Sequence, residues 1–346
     1  MAQGTVFDAI QVKESWLNDT AYKLRNYKRS RPEWRAAYKS DIGRFESLNR
    51  AALKTLASAK KYEGIFQIGS RISIGNKIKE PTFSYQDGNA AMRYRYIGDE
   101  GLSDKQRQNH LRYENDAYKR LKGIFLFSAW LGDSFMKDFS VPSKNLHVVG
   151  AGINFTQFPN ITNKQFDKPR FLFVGREFER KGGKTLLEAF AKTRKHLPNA
   201  ELVIVGPDVP SSSPEGVIFA GFLRKSVEAE AALLLKLFNE SSTLVLPSIY
   251  EPFGISILEG MAYGMPSIAV DRCAMPEIVN HGIDGMIAKA EDADSLAAAM
   301  TELGKDLERC KAMGKTGHEK VKQHYTWQAV CGRMRDVLRN QYGLLG

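Results

Sequence analysis

The stretch TLVLPSIYEPFGISILEGMAYGMPSIAV, residues 243–270, reads as strand, turn, helix and strand. Thr243 to Ser248 is a short apolar run of the kind that fills a buried parallel strand, and the spacing predicts a helix from Gly254 to Tyr263, its first turn just past Pro252. Glu251 then lies in the loop at the carboxyl end of a strand and Glu259 on the early part of the next helix. Open α/β sheets bind ligands at that edge. The backbone N–H groups of Phe253, Gly254 and Ile255, with the positive end of the helix, form an anion cradle between the two carboxylates. A ligand with hydroxyls at both ends and phosphate between them fits, and a nucleotide sugar has that shape.

Spacing alone proves little. With 39 acidic residues in 346, a Glu pair eight apart is expected by chance, and a Glu early in a helix is ordinary dipole chemistry. A second anion signal upstream changes the balance. In RFLFVGREFERKGGKTLLEAFAK, residues 170–192, Arg170 to Val174 reads as a strand that Gly175 ends. Gly182 and Gly183 open a helix with Leu186, Leu187, Ala189 and Phe190 on its apolar face. Arg176 and Lys181 therefore share one strand-to-helix loop. A guanidinium fork beside a movable ammonium suits a diphosphate, although an isolated KGGK run is usually a solvated loop.

From about Lys168 to Ala299 the chain resembles the nucleotide-sugar half of the family 4 glycosyltransferases, retaining enzymes of the GT-B fold. The resemblance rests on FVGREFERKGG, AELVIVGPD, FAGFL, the 243–270 stretch, PEIVNHGIDGMIAKAEDADSLAAAM and HYTWQAV, which occur in family order. It implies two Rossmann-like parallel-sheet domains facing a cleft: 1–160 on the acceptor side, 161–324 on the donor side, and 325–346 as a helix crossing back to the first domain. It implies a hexosyltransferase that moves a sugar from a nucleotide-diphosphate sugar to a hydroxyl of a glycan or lipid-linked acceptor, with retention, no cofactor and no metal. Arg176 and Lys181 would neutralise the diphosphate, Glu259 would hold the ribose and Glu251 the donor sugar. Gly175, Phe253, Gly254 and Ile255 would line the phosphate and sugar, and Leu223 would border the base.

The first half departs from the family. VFDAI, residues 6–10, is followed by no glycine until Gly43, so the opening strand is absent or its turn is rebuilt. The family's His-Asp pair stands here as Gln86-Asp87. Asp87 is a candidate for orienting the acceptor, and equally a plain turn residue beside Gly88.

Charge is uneven. Lys plus Arg against Asp plus Glu is 27 to 16 over residues 1–165 and 23 to 23 over 166–346, so the whole net charge of +11 lies in the first half. An anionic partner is expected there: a membrane surface, a lipid-linked phosphate, an acidic glycan or nucleic acid. Lys28, Arg29 and Arg31 lead the basic run within 16–61, which also contains a helical pattern at Ile42, Phe45, Leu48, Ala52, Leu53 and Leu56. Nucleic acid is the weakest of these, because stacking aromatics in a sheet-borne pattern are absent.

The chain has no run of eighteen apolar residues and no leader-like start, so a cytoplasmic protein, peripheral to the inner face of the membrane, is expected. Cys273, Cys310 and Cys331 suggest reduced structural thiols. Two rival readings remain: a GT-B enzyme of other chemistry, such as an epimerase, and a basic nucleic-acid module on a degenerate scaffold. The first needs an acid/base pair over the sugar, and the second leaves the two Glu and two cations without a purpose.

Overall fold

A computed structural model describes residues 9–12, 15–59, 61–155 and 157–345, and it divides into two compact units. The first comprises residues 1–149 and 332–346, the second 150–331. The sequence reading placed these joints at 160/161 and 324/325. VFDAI falls mostly outside the described residues, and Ala9 and Ile10 are in no strand.

In the first unit three helices, α1 (Trp16–Arg25), α2 (Arg31–Lys39) and α3 (Ile42–Ala57), precede the sheet. Asp41 caps α3 by accepting from the Arg44 amide, and the predicted apolar stripe buries Phe45, Leu48 and Ala52. Then follow β1 (Ile65–Ile68), β2 (Thr82–Gln86), α4 (Ala90–Tyr96), α5 (Asp104–Tyr118), β3 (Gly123–Leu126), α6 (Ala129–Phe139) and β4 (Leu146–Val148). The four strands lie in chain order, all parallel. Ser128 caps α6, whose Leu131, Phe135 and Phe139 pack with Ile124, Leu126 and Tyr118 into one face of the core.

The second unit contains β5 (Arg170–Val174), α7 (Gly183–Arg194), β6 (Glu201–Val205), β7 (Val217–Gly221), α8 (Glu228–Glu240), β8 (Thr243–Val245), α9 (Ile255–Ala262), β9 (Ser267–Val270), α10 (Met275–Ile278), β10 (Gly285–Ala288), α11 (Ala293–Lys305) and α12 (Leu307–His324). Its six strands are parallel in the order β10-β9-β8-β5-β6-β7. The chain winds outward from β5 through β6 to β7, then returns to start again at β8. The reversal between β5 and β8 is the topological switch point, where the two loops leaving adjacent strands part in opposite directions and open a crevice. β5, β6 and β9 are buried along their lengths because helices cover both faces, which is why they read as continuous apolar runs.

The last helix, α13 (Trp327–Tyr342), starts in the second unit, and from Gly332 onward belongs to the first. Thr326 caps it by accepting from the Ala329 amide. Leu338 is buried beside Phe83, Tyr85 and Phe125 on the first sheet, and the Tyr342 hydroxyl lies 2.7 Å from His147 Nε2. Cys273 and Cys310 are buried free thiols, each pushed up to about 11 mainly by burial. Cys331 departs from the structural reading: its side chain is exposed. Among the described residues no helix is long and apolar enough to cross a membrane.

Candidate functional site

The site of the second unit is assembled from the loops that follow β5, β7 and β8. Hydrogen bonds between loops fix their ends: the Gly175 amide donates to Val205 O at 2.8 Å, the Gly206 amide to Gly221 O at 2.9 Å, and the Ile249 amide to Arg180 O at 3.0 Å. Close approach explains the glycines. At Gly182, whose φ is +76°, a Cβ would stand 2.0 Å from Pro247 O. At Gly175 a Cβ would stand 2.1 Å from Lys181 Cδ, so the missing side chain is the groove in which the lysine lies.

Lys181 Nζ donates to Glu251 Oε2 at 2.8 Å, and each side chain keeps 15% exposure. The loops after β5 and β8, read separately in the sequence, therefore meet at the switch point. Arg180 reinforces the junction by donating to Tyr250 O, with Nη1 3.9 Å from Glu251 Oε2. Arg176 stays exposed, its guanidinium 5.0 Å from the ring centroid of Phe222 in the loop after β7. Leu223 follows Phe222 and is half-buried.

Gly254 adopts the left-handed conformation, φ +77°, as the N-cap of α9. The helix begins at Ile255, one residue later than the sequence suggested. Its first-turn amides have no intrahelical partner by geometry, and the Ile257 amide closes back on Gly254 O at 2.9 Å. Ser256 joins the set, since its buried Oγ has no hydrogen-bond partner among the described residues. Phe253 is buried, 6.2 Å from the Tyr325 ring.

Glu259 lies a turn into α9, is only 7% exposed, and is paired with Lys225 from the loop after β7. That loop thus reaches the far end of the cradle. Sequence reading missed Lys225, Arg180, Phe222 and Ser256. Arg180, Phe222 and Ser256 stand next to residues already singled out and Lys225 two positions beyond Leu223, which was the available signal, but nothing in the spacing said which way their side chains turn.

Asp87 belongs to the first unit. It is exposed, one residue beyond the carboxyl end of β2, and its neighbour Asn89 caps α4 by accepting from the Met92 amide at 2.9 Å. The four charged candidates Arg176, Lys181, Glu251 and Glu259 all lie in the second unit.

Comparison with known proteins bears on the family and the fold. Residues 154–320 match the family model described as glycosyl transferases group 1. An uncharacterized glycosyltransferase of Methanocaldococcus jannaschii is 26% identical over 246 residues, 64% of this chain and 61% of that protein. A GDP-mannose-dependent alpha-(1-6)-phosphatidylinositol monomannoside mannosyltransferase of Mycobacterium tuberculosis is 30% identical over 184 residues, 50% of this chain and 48% of that protein. The chain thus spans about half to three fifths of these relatives. Among solved structures, sucrose-phosphate synthase from Thermosynechococcus elongatus superposes with a TM-score of 0.70 at 21% identity, covering 87% of this chain and 79% of that one. Anabaena HepE in complex with UDP and glucose gives 0.66 at 16% identity, covering 86% and 83%. The fold is that of the GT-B glycosyltransferases, and residues 154–320 form a glycosyl transferases group 1 domain.

Proposed function

We propose that this protein is a retaining, family 4 type hexosyltransferase that moves a sugar from a nucleotide-diphosphate sugar to a hydroxyl of a glycan or lipid-linked acceptor. The observation that carries the reading is the meeting of Lys181 and Glu251 at the switch point of the second sheet, beside the start of α9. Relatives named for GDP-mannose and a neighbour holding UDP and glucose support the donor class.

The donor diphosphate would lie along the amides at the start of α9, with Lys181 and Arg176 on its oxygens. Negative charge grows on those oxygens as the glycosidic C–O bond breaks, and fixed cations stabilise it without reorganising. Two cations supply the countercharge that a metal would otherwise bring. The acceptor hydroxyl then attacks the anomeric carbon from the face the diphosphate leaves, and its proton passes to the departing phosphate oxygen. Glu259 would exchange Lys225 for the ribose hydroxyls, and Glu251 would accept from the donor sugar. Gly175 leaves room for Lys181, while Phe253 and Leu223 wall the sugar and base. In the first unit Asp87 would orient the acceptor, and the basic half would contact an anionic membrane or acceptor.

Thermal stabilisation by a panel of UDP- and GDP-sugars tests the donor class. A binder at a hundredfold excess over its Kd adds about 2.7 kcal/mol to the native state. Release of free nucleotide diphosphate in the presence of EDTA, with the anomeric configuration of the product read by NMR, tests the chemistry. Stabilisation by no member of the panel overturns the proposal, and an interconverted sugar still attached to its nucleotide favours the epimerase reading.

A further inference from the structure

The first helix of the first unit is turned inside out. No residue of α1 is buried, and its large apolar side chains face solvent: Trp16 is 75% exposed, Leu17 71% and Leu24 71%, with Tyr27, just past the helix end, at 68%. At about 100° per residue, Trp16, Leu17, Thr20 and Leu24 share one stripe. The face turned to the protein is the polar one. Asn18 Nδ2 donates to Ser47 Oγ at 3.2 Å, the Tyr22 hydroxyl to Gly43 O at 2.9 Å and Asn26 Nδ2 to Asp41 Oδ2 at 2.6 Å, while Asp19 accepts from the Tyr38 hydroxyl. Ser15 caps the first turn by accepting from the Asn18 amide at 3.2 Å. Hydrogen bonds therefore fix α1 to α2 and α3, and the apolar stripe is left outside.

A surface helix of a globular domain ordinarily buries its apolar stripe and leaves its polar face to water. The reversed order calls for something outside the domain to cover the stripe, because contiguous exposed apolar surface marks an interaction site. The surrounding charge says what. Between Ser15 and Arg35 the chain has six cations, Lys23, Arg25, Lys28, Arg29, Arg31 and Arg35, against Asp19 and Glu33. Lys23 is paired with Asp19 at 2.6 Å. The other five cations are exposed, and Lys28, Arg29 and Arg31 form no ion pair among the described residues. A second copy seated on this face would set like charges against like, whereas an anionic surface complements all of them. Trp16 and Tyr27 stand at the two ends of the stripe with leucines between, and such amphipathic rings suit a boundary between hydrocarbon and water.

We infer that α1 is an interfacial helix that docks the first unit on an anionic phospholipid bilayer, with Trp16, Leu17, Leu24 and Tyr27 in the headgroup boundary and Lys28, Arg29 and Arg31 on lipid phosphates. The inference deepens the proposed function: it rests on the anionic contact named there, not on the donor chemistry, and it chooses the bilayer as the partner. Charge and apolar area divide the work, the cations drawing the chain in from within a screening length and the buried side chains holding it there. The inward polar bonds hold the helix already formed, so docking costs no folding entropy.

The test sediments the full chain with mixed phosphatidylglycerol and phosphatidylcholine vesicles against phosphatidylcholine vesicles, at low and high salt, and reads tryptophan emission with lipids brominated in the acyl chain. The pair Trp16→Ser, Leu24→Ser, the triple reversal Lys28→Glu, Arg29→Glu, Arg31→Glu, and Trp16→Phe are compared with wild type, with Tm and stabilisation by UDP- and GDP-sugars measured in each. We expect salt-sensitive binding to the anionic vesicles, weakened about tenfold or more by the serine pair or by the reversal. Tm and nucleotide-sugar stabilisation are expected to stay unchanged, since the altered side chains face solvent. Trp16→Phe is expected to keep the binding and lose the quenching by brominated lipid, a readout that decides the matter even if the serine pair lowers Tm. Vesicle binding that is absent, or equal in the serine pair and wild type, or without quenching that depends on Trp16, overturns the inference. Dimerisation abolished by the serine pair, in place of vesicle binding, gives the stripe to a second copy and overturns it too. Vesicle binding as expected, with no nucleotide sugar stabilising the wild type, leaves the docking helix standing and removes the glycosyltransferase reading instead.

Discussion

Lys181 Nζ and Glu251 Oε2 lie 2.8 Å apart although seventy positions separate them in the chain. One comes from the loop after β5, the other from the loop after β8, and these strands are neighbours only because the sheet reverses its winding there. In this arrangement the ammonium and the carboxylate satisfy each other. A donor would draw Lys181 toward its diphosphate and leave Glu251 to its sugar hydroxyls, with Arg180 near at 3.9 Å to hold the carboxylate charge.

In the proposed mechanism, replacing Lys181 or Arg176 by alanine would remove a cation that acts most strongly as the diphosphate leaves. Turnover is expected to fall by roughly a hundredfold or more, about 2.7 kcal/mol of transition-state stabilisation. Steady-state release of nucleotide diphosphate measures it. Wild-type turnover in either variant removes that residue from the mechanism.

The two carboxylates separate by ligand. Glu259→Gln is expected to weaken free nucleotide diphosphate by about 1.5 to 3 kcal/mol, because the proposed ribose contact would need no sugar. Glu251→Ala is expected to leave the free nucleotide nearly unaffected and to weaken the nucleotide sugar. Calorimetric titration with both ligands decides between them. Equal losses for both ligands in both variants contradict the division of roles.

Two glycines of one loop should behave differently. Gly182→Ala places a methyl 2.0 Å from the backbone carbonyl of Pro247 at φ +76°, and neither can yield cheaply. A loss of at least about 2 kcal/mol is expected, visible as a fall of about 4–8 °C in Tm. Gly175→Ala meets chiefly the flexible Lys181 side chain, with Cδ at 2.1 Å, and stands 3.3 Å from Phe173 Cζ. It is expected to displace the lysine and lower turnover with little change in Tm, and the opposite ranking of the two in Tm would refute this account.

His110 supplies a pH test of the first unit. Burial, then Arg93 and Arg71, push it down to about 4 from its ordinary 6.5. The unfolded chain therefore binds a proton that the folded chain refuses, so stability is full above about 6.5 and is lost as pH falls toward 4. Between pH 7 and pH 5 the histidine costs about 2 kcal/mol, to be seen as the difference between wild type and His110→Gln in urea unfolding. Comparing the two chains matters because buried Glu114, 3.8 Å from His110 and pushed up by burial, acts in the opposite direction. Parallel pH profiles of the two proteins would show that the histidine is not held neutral.

Local chemistry alone made much of the second unit legible. Buried parallel strands are apolar along most of their length, so the cores of β5, β8 and β9 stood out, and the turns that end them announced themselves by Gly and Pro. The same logic placed Glu251 in a loop and Glu259 on a helix, and the net charge of +11 was assignable to the first half by counting. What needed the tertiary structure was every relationship between loops. Strand order decides that the β5 and β8 loops share a crevice, and side-chain direction decides that Lys225 turns onto Glu259. Residue type and spacing act along the chain through a few bonds. Electrostatics and packing act through space, between segments whose nearness the linear order does not encode.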